Sequence, residues 1–419
     1  MADDAHMDLL LASAKLLFEN GQTTERTTGS VARLGAALGL RSVLLAHWDD
    51  LCIRIDAPVG CMQRNISAVP AGVDMRKVVT TTQVIDDVCE GRMDAREARA
   101  SFDAIVRYPP IGLVRFALMA GAGAAALGVI FGAAHWQTLL LIAMSAGLGA
   151  CLRRWVAGIS HNLFVQPFCA ALLAGMIGAL AVRLQLSSAL QLVALCPCMV
   201  LVPGPHLLSG ALDLAHGRLP LGASRLGYAS LIILMICIGL LVGLAVGGVS
   251  LAAAAPSNPV PLGYDVLAAG VAVAAYGTFF VMPWRIIPVP MLIGMLAHAC
   301  RWAVIAMGGN VEIGALAACL VVGVLITPIA DRLRLPFAAL GFASVVSLIP
   351  GVFLFRMAGG LVDLIVLGDK AAPDLLSNTV TDGLTAMLIF LAMAFGLIVP
   401  KLLIERFFPN IGEKRRPPP

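Results

Sequence analysis

CPCMVLVPGPHLLSG occupies residues 196–210. Pro197, Pro203, Gly204 and Pro205 interrupt a stretch that is otherwise almost wholly apolar. A proline inside a helix deletes one backbone hydrogen bond and clashes with the preceding turn. In hydrocarbon the freed carbonyls need partners, so such breaks persist where the backbone is buried in protein or lines a wet cavity. Three readings follow: a membrane helix broken beside a substrate path, a soft-metal site on Cys196 and Cys198, or a kink that serves packing alone.

The surrounding chain puts this stretch in a membrane. Of 419 residues, 59% are hydrophobic and 13% charged, with a mean hydropathy of +0.90. An ordinary soluble domain carries about 25% charged residues. The net charge of +4 carries no argument for nucleic acid, because the arginines and lysines beyond residue 110 fall mostly in short connections. Most of the ten cysteines lie in or beside apolar runs, where cysteine behaves as a small hydrophobe. No cofactor motif, phosphate loop, zinc spacing or nucleophile elbow is present, so neither a cofactor nor enzyme chemistry is expected.

Ten apolar runs of spanning length are predicted, at 111–133, 136–152, 163–183, 187–208, 226–250, 263–283, 286–308, 311–328, 336–359 and 379–402. Arg153, Arg154, Arg218, Arg225, Arg285, Arg332 and Arg334 fall on one set of connections, and the tail adds Lys401, Arg406, Lys414, Arg415 and Arg416. The other set carries Arg183 and Lys370, with Arg356 near that end of its span. By the positive-inside rule both termini are then expected in the cytoplasm. The opening MADDAHMDLL has no basic segment followed by a long apolar one, so no cleaved signal peptide is expected.

Residues 1–107 read as a small α+β cytoplasmic domain. Helices are predicted at 6–20, 24–38, 78–90 and 94–106, and strands at 42–47 and 52–57 around a turn at Trp48, Asp49 and Asp50. His47, Asp49, Asp50 and Cys52 lie close together, but turns collect aspartate for conformational reasons.

A repeat search divides the remainder. At an offset of 147 residues, AMSAGLGACLRRW (143–155) aligns with PMLIGMLAHACRW (290–302), and LVPG (201–204) falls on LIPG (348–351). Met144, Gly147, Ala150, Arg154 and Trp155 match Met291, Gly294, Ala297, Arg301 and Trp302. Two transmembrane repeats are expected, 108–255 and 256–419, the second including the cytoplasmic tail. Five spans per repeat is an odd number, so the second repeat is inverted relative to the first. Inverted repeats with interrupted helices at matching positions are typical of secondary transporters, whose sites lie at those breaks.

Pro203, Gly204, Pro350 and Gly351 are therefore the first candidates for substrate binding, with Ser347 and Gln191 as neighbouring polar groups. Half-helix ends there could hold a zwitterion or an anion. His206, Asp213, His298, Arg301, Arg356 and Asp363 are polar groups within spans and are candidates for coupling or gating. A titrating acid or histidine among them could couple transport to protons. The metal reading of Cys196 and Cys198 finds no support elsewhere: the equivalent positions 343 and 345 are Ala and Val, and no segment is built to bind ATP.

GQTTERTTGSVARLGAALGL (21–40), LVPGPHLLSGALDLAHGRLPLGASRL (201–226) and LIPGVFLF (348–355) together resemble the threonine/serine exporter family of bacterial inner-membrane proteins. The resemblance runs from about residue 8 to 405. It implies a cytoplasmic domain fused to ten spans and export of threonine and serine driven by the proton-motive force. Gly21, Thr24 and Arg26 fit the family's pattern, whereas Thr28 stands where a glutamate is expected. Two-component relatives are linked to dicarboxylate export, so a succinate exporter is the alternative. From another class, a membrane-bound enzyme using the N-terminal domain is a third reading. The expected partners are threonine or serine, protons and the lipid bilayer, with no nucleic acid; assembly as a homo-oligomer is left open.

Overall fold

The computed structural model describes residues 2–57, 60–133, 135–160, 162–185, 190–251 and 260–407. The N-terminal part runs α1 (Ala2–Glu19), α2 (Thr24–Ala37), β1 (Arg41–Ala46), β2 (Asp50–Ala57), β3 (Gly60–Ser67), α3 (Met75–Cys89) and α4 (Ala95–Val106). α1 stops at Gly21, whose φ of +92° is open to glycine at little cost. α3 starts on Asp74, which accepts from the Lys77 amide at 3.0 Å. α4 starts on a capping box between Asp94 and Glu97. Leu10, Leu17, Val31, Leu34, Leu51, Ile53, Ile85 and Phe102 form a core separate from that of the later helices. Burying each large apolar side chain contributes about 1.5–3 kcal/mol.

The three strands form an antiparallel sheet in the order β1-β2-β3. The expected pair of strands undercounts it by one. In β3, Met62, Arg64 and Ile66 share a face, so a charge sits where alternation would call for an apolar residue. Arg64 reaches Asp4, at 3.3 Å, and Asp8 on α1. The long-range pairing explains the charge, and no local signal announces it.

The apolar part begins with α5 (Leu113–Ile130), α6 (Trp136–Ile159), α7 (Val165–Arg183), α8 (Leu190–Met199), α9 (Gly204–Ala215) and α10 (Leu219–Val246). It continues with α11 (Leu262–Phe279), α12 (Pro288–Ala306), α13 (Val311–Arg332), α14 (Phe337–Val345), a 3-10 turn (Val346–Leu348), α15 (Gly351–Leu367) and α16 (Pro373–Phe407). Among the described residues nine helices are long and apolar enough to cross a membrane, and ten if α8 and α9, bent by 52°, make one span. The run expected at 187–208 is therefore two helices around a break, its first three residues lying outside the described ones. The run expected at 336–359 also splits, at Ile349 and Pro350, and its second helix continues to Leu367. α16 starts at Pro373, six residues earlier than the apolar run alone indicates.

α7 packs on α10, and α13 packs on α16. Both pairs approach closely through glycine. A β-carbon on Gly243 would lie 2.3 Å from the Leu172 carbonyl oxygen, and one on Gly323 would lie 2.5 Å from the Gly396 carbonyl oxygen. Small residues let helices meet closely in lipid, where no hydrophobic drive separates protein from tails. α5 packs on α11, α8 on α15 and α9 on α14, so the two broken helices are seated against one another.

The N-terminal part docks on one end of this bundle. The Met75 amide donates to the Phe280 carbonyl at 2.8 Å. Trp48, at the β1–β2 turn, lies 5.0 Å from the Tyr228 ring, and Leu221 of α10 is buried in the N-terminal core.

Candidate functional site

The two breaks have closely similar backbones. Pro203 precedes α9 with φ −83° and ψ 61°, and Pro350 precedes α15 with φ −78° and ψ 37°. Each break presses on the other's partner helix. A β-carbon on Gly204 would lie 1.6 Å from the ring of Phe342 in α14, and one on Gly351 would lie 2.7 Å from Cγ of Met199 in α8. Pro203 has no N–H to offer the Met199 carbonyl four residues earlier, and Tyr276 of α11 donates its hydroxyl to that oxygen at 3.0 Å.

A cavity of about 300 Å³ opens at the first break, on the side of the N-terminal part. Its polar lining is Arg153, Gln166, His206, Tyr228 and Tyr276; Phe116, Phe279, Phe280 and Ile232 supply apolar wall, and the segment Ala71, Gly72 and Val73 closes one side. The size falls in the range of small-molecule sites. His206 lies edge-on to Tyr228 at 5.1 Å between centroids. Arg153 is half-buried, and its Nε is enclosed without a hydrogen-bond partner. The next residue behaves differently: Arg154 donates to the Ile111 carbonyl at 2.8 Å and lies over the Phe116 ring. A guanidinium held in a mostly apolar cavity and left with an open face is suited to pair with a carboxylate.

The residues singled out from the sequence fall into separate places. Pro203 and His206 line the cavity, while Gly204 is buried under Phe342. Pro350 and Gly351 form the second break; Ser347, one turn earlier, is 3% exposed and its hydroxyl has no partner. Gln191 lies in the first turn of α8 and does not line the cavity. Asp213 is engaged at the end of α9, where Thr24 donates to it at 3.2 Å and Arg218 and Arg225 each approach to 3.4 Å. His298 pairs with Asp265 at 3.0 Å in full burial, with Arg301 one turn along and within reach of the aspartate's charge. That pair lies about 22 Å along α11 from Phe280 and the docked N-terminal part. Arg356 pairs with Asp382 of α16 at 3.1 Å, and Asp363 is half-buried further along α15.

No sequence pattern singles out Arg153, Tyr228 or Tyr276. Arg153 reads in sequence as one of two loop arginines, and each tyrosine is a lone polar group in an apolar run. Their convergence depends on how α6, α10 and α11 are rotated, which no local pattern gives.

The N-terminal part bridges the bundle's end through charged pairs. Thr24 meets Asp213, and Glu25 meets His216 at 3.1 Å, both in the first set of helices. Arg26 pairs with Asp331, and Asp86 pairs with Arg334, both in the second set. Burial, with Arg33 and Arg26 nearby, pushes the Arg334 guanidinium below its usual value. Glu25, His216 and Glu405 bring ligand atoms within 4.8 Å of one another, a spacing that could hold a cation. Lys401 already pairs with Glu405, and the Leu212 carbonyl lies 2.8 Å from His216 Nδ1, so ion pairs account for the cluster. Cys196 and Cys198 are both buried in the helical core.

Comparison with known proteins gives the arrangement its context. Two profiles described as threonine/serine exporter match residues 8–247 and 265–403. A "Probable threonine/serine exporter" of Mycobacterium tuberculosis is 23% identical over 84% of this chain and 70% of its own length. A "Probable succinate transporter subunit YjjP" of Klebsiella aerogenes is 26% identical over 57% of this chain and 93% of its own length. No solved structure matches. With apolar helices that make it a multi-pass membrane protein, the chain belongs to the threonine/serine exporter family.

Proposed function

We propose that the chain is a secondary active exporter of threonine and serine, and that the cavity at the first break is its substrate site. The observation that carries this reading is the open face of Arg153 within a cavity of about 300 Å³. One guanidinium suits one carboxylate. A dicarboxylate such as succinate would bring a second, and among the described residues the cavity lining supplies no second permanent cation beside His206. Family membership supports the amino-acid reading.

Movement would follow from two inverted five-helix repeats, one containing α5 to α10 and the other α11 to α16, alternating access around the paired breaks. The matching helix pairs, the matching backbones at Pro203 and Pro350, and the 147-residue offset support this division. The arginine-rich connections support a cytoplasmic location for the N-terminal domain (1–107) and the tail. The cavity beside that domain would then be the entry for solute leaving the cell. Proton coupling is the expected driving force, and the buried His298–Asp265 pair near the far end is its best-placed candidate.

The test is efflux of labelled threonine, serine and succinate from loaded proteoliposomes, with and without a proton gradient. Wild type is expected to move threonine and serine, faster with the gradient. Losing a charge-assisted hydrogen bond is worth about 1.5–3 kcal/mol, so Arg153→Gln should weaken transport about 10- to 100-fold. Arg153→Lys should retain more of it. Succinate movement alone, or an unaffected Arg153→Gln, would overturn the assignment.

A further inference from the structure

We infer that Ser145 is the specificity-determining residue that reads the substrate's side-chain hydroxyl, in a narrow trough that continues from the cavity past Arg153. The inference rests on the reading of that cavity as the substrate site.

The trough has a volume of about 20 Å³ and shares Phe116, Arg153, Val200 and Leu201 with the larger cavity. Its floor is one face of α6. Residues 145, 149 and 153 follow one another at the four-residue spacing that stacks side chains on a helix. Gly149, in the middle, has no side chain, so the space between Ser145 and Arg153 stays open. Ser145 lies about 12 Å deeper along the helix axis than Arg153. Side chains of a helix lean toward its N-terminus, so the guanidinium reaches back toward the serine rather than away from it.

Ser145 is 1% exposed, and its hydroxyl takes no hydrogen bond. That is unusual twice over. Buried polar groups are nearly always paired, and a serine inside a helix ordinarily bonds the carbonyl one turn back. Here the oxygen is enclosed, unpaired, and at the edge of a space the size of one small polar group. A hydroxyl fits such a place as donor or acceptor, whereas a methyl leaves the serine unpaired. Sites built to bond a hydroxyl discriminate strongly against the analogue lacking it. At the 147-residue offset the stripe becomes Leu292, Leu296 and Cys300, so the trough belongs to one half of the molecule.

The carboxylate would pair with Arg153 at the mouth, and the side-chain hydroxyl would enter the trough. The class selected is small amino acids with a β-hydroxyl, over alanine and 2-aminobutyrate, which match serine and threonine without it.

The experiment measures how well unlabelled serine, alanine, threonine and 2-aminobutyrate compete with labelled threonine in counterflow through the reconstituted full chain. Wild type should favour each hydroxylated member of a pair by about 10-fold. Ser145→Ala should bring both ratios to within about twofold by weakening serine and threonine, with alanine unchanged. Ser145→Cys keeps the volume and donates poorly, so it should fall with Ser145→Ala. Retained ratios in both variants, or no preference in wild type, would overturn the role of Ser145 while leaving Arg153 and the cavity in place. A wild type that moves no amino acid, or an indifferent Arg153→Gln, would overturn the cavity reading and this inference with it.

Discussion

A β-carbon at position 204 would fall 1.6 Å from the Phe342 ring, inside its atoms. The ring is 4% exposed and is flanked by Tyr276 and Phe280, so it has nowhere to turn. Gly351 meets Cγ of the buried Met199, which would have to shift, although a thioether chain adapts more readily than a ring. Gly204→Ala is therefore expected to cost about 3 kcal/mol or more, and Gly351→Ala about 1. Thermal unfolding of the purified variants in detergent checks this: a large drop for Gly204→Ala, and a distinctly smaller one for Gly351→Ala. Equal losses would mean that the two breaks are packed alike. Both glycines were legible in the sequence because each stands beside a proline in an apolar run and the pair recurs at one offset. Arg153 was not. It and Arg154 differ by about 100° around α6, and only the packing of α5 and α8 decides which of the two enters the cavity.

At the scale of elements, the break between α8 and α9 is held by a helix from the other set. The Met199 carbonyl loses its helical partner to Pro203, and Tyr276 of α11 supplies one at 3.0 Å. Tyr276→Phe keeps the ring and its neighbours Phe279, Phe280 and Phe342 but leaves that oxygen short of a donor. Such a loss costs about 1–3 kcal/mol in a buried place. The expected result is a lowered unfolding midpoint together with slower threonine counterflow, since the cavity wall and the break share the residue. A variant with unchanged stability would show that the carbonyl finds water or the Val202 amide sufficient. Most elements were readable from hydropathy and end signals, α3, α4, α5, α7, α11, α12 and α13 within about four residues, because their apolar faces are local; α6 runs on to Ile159 and α10 begins at Leu219, each seven residues beyond its expected run, and α8 and α9 were expected as one. β3 was hidden by Arg64, whose ion pairs with Asp4 and Asp8 are distant in sequence. The bend after Met199 was readable as proline chemistry, while its partner helix was not.

Across the whole molecule, the first turn of α2 touches both sets of helices at once. Thr24 and Glu25 hold the end of α9 through Asp213 and His216, and the next residue, Arg26, holds the end of α13 through Asp331. Asp86 repeats the second attachment through Arg334. If the two sets rock against each other, these ends separate, and a rigid bridge between them must release one. Arg26 and Asp331 are 23% and 11% exposed, so breaking their pair leaves a charge with poor solvation. Arg26→Asp and Asp331→Arg are each expected to slow threonine counterflow about 10-fold, and the double exchange should restore most of the rate. Counterflow in reconstituted full-length chain is the measurement. Rescue by the exchange would show that the pair itself matters, because general damage from either charge does not cancel in the double variant. Two single variants that behave as wild type would instead make the N-terminal part a passenger on one set of helices, free of the movement that opens the cavity.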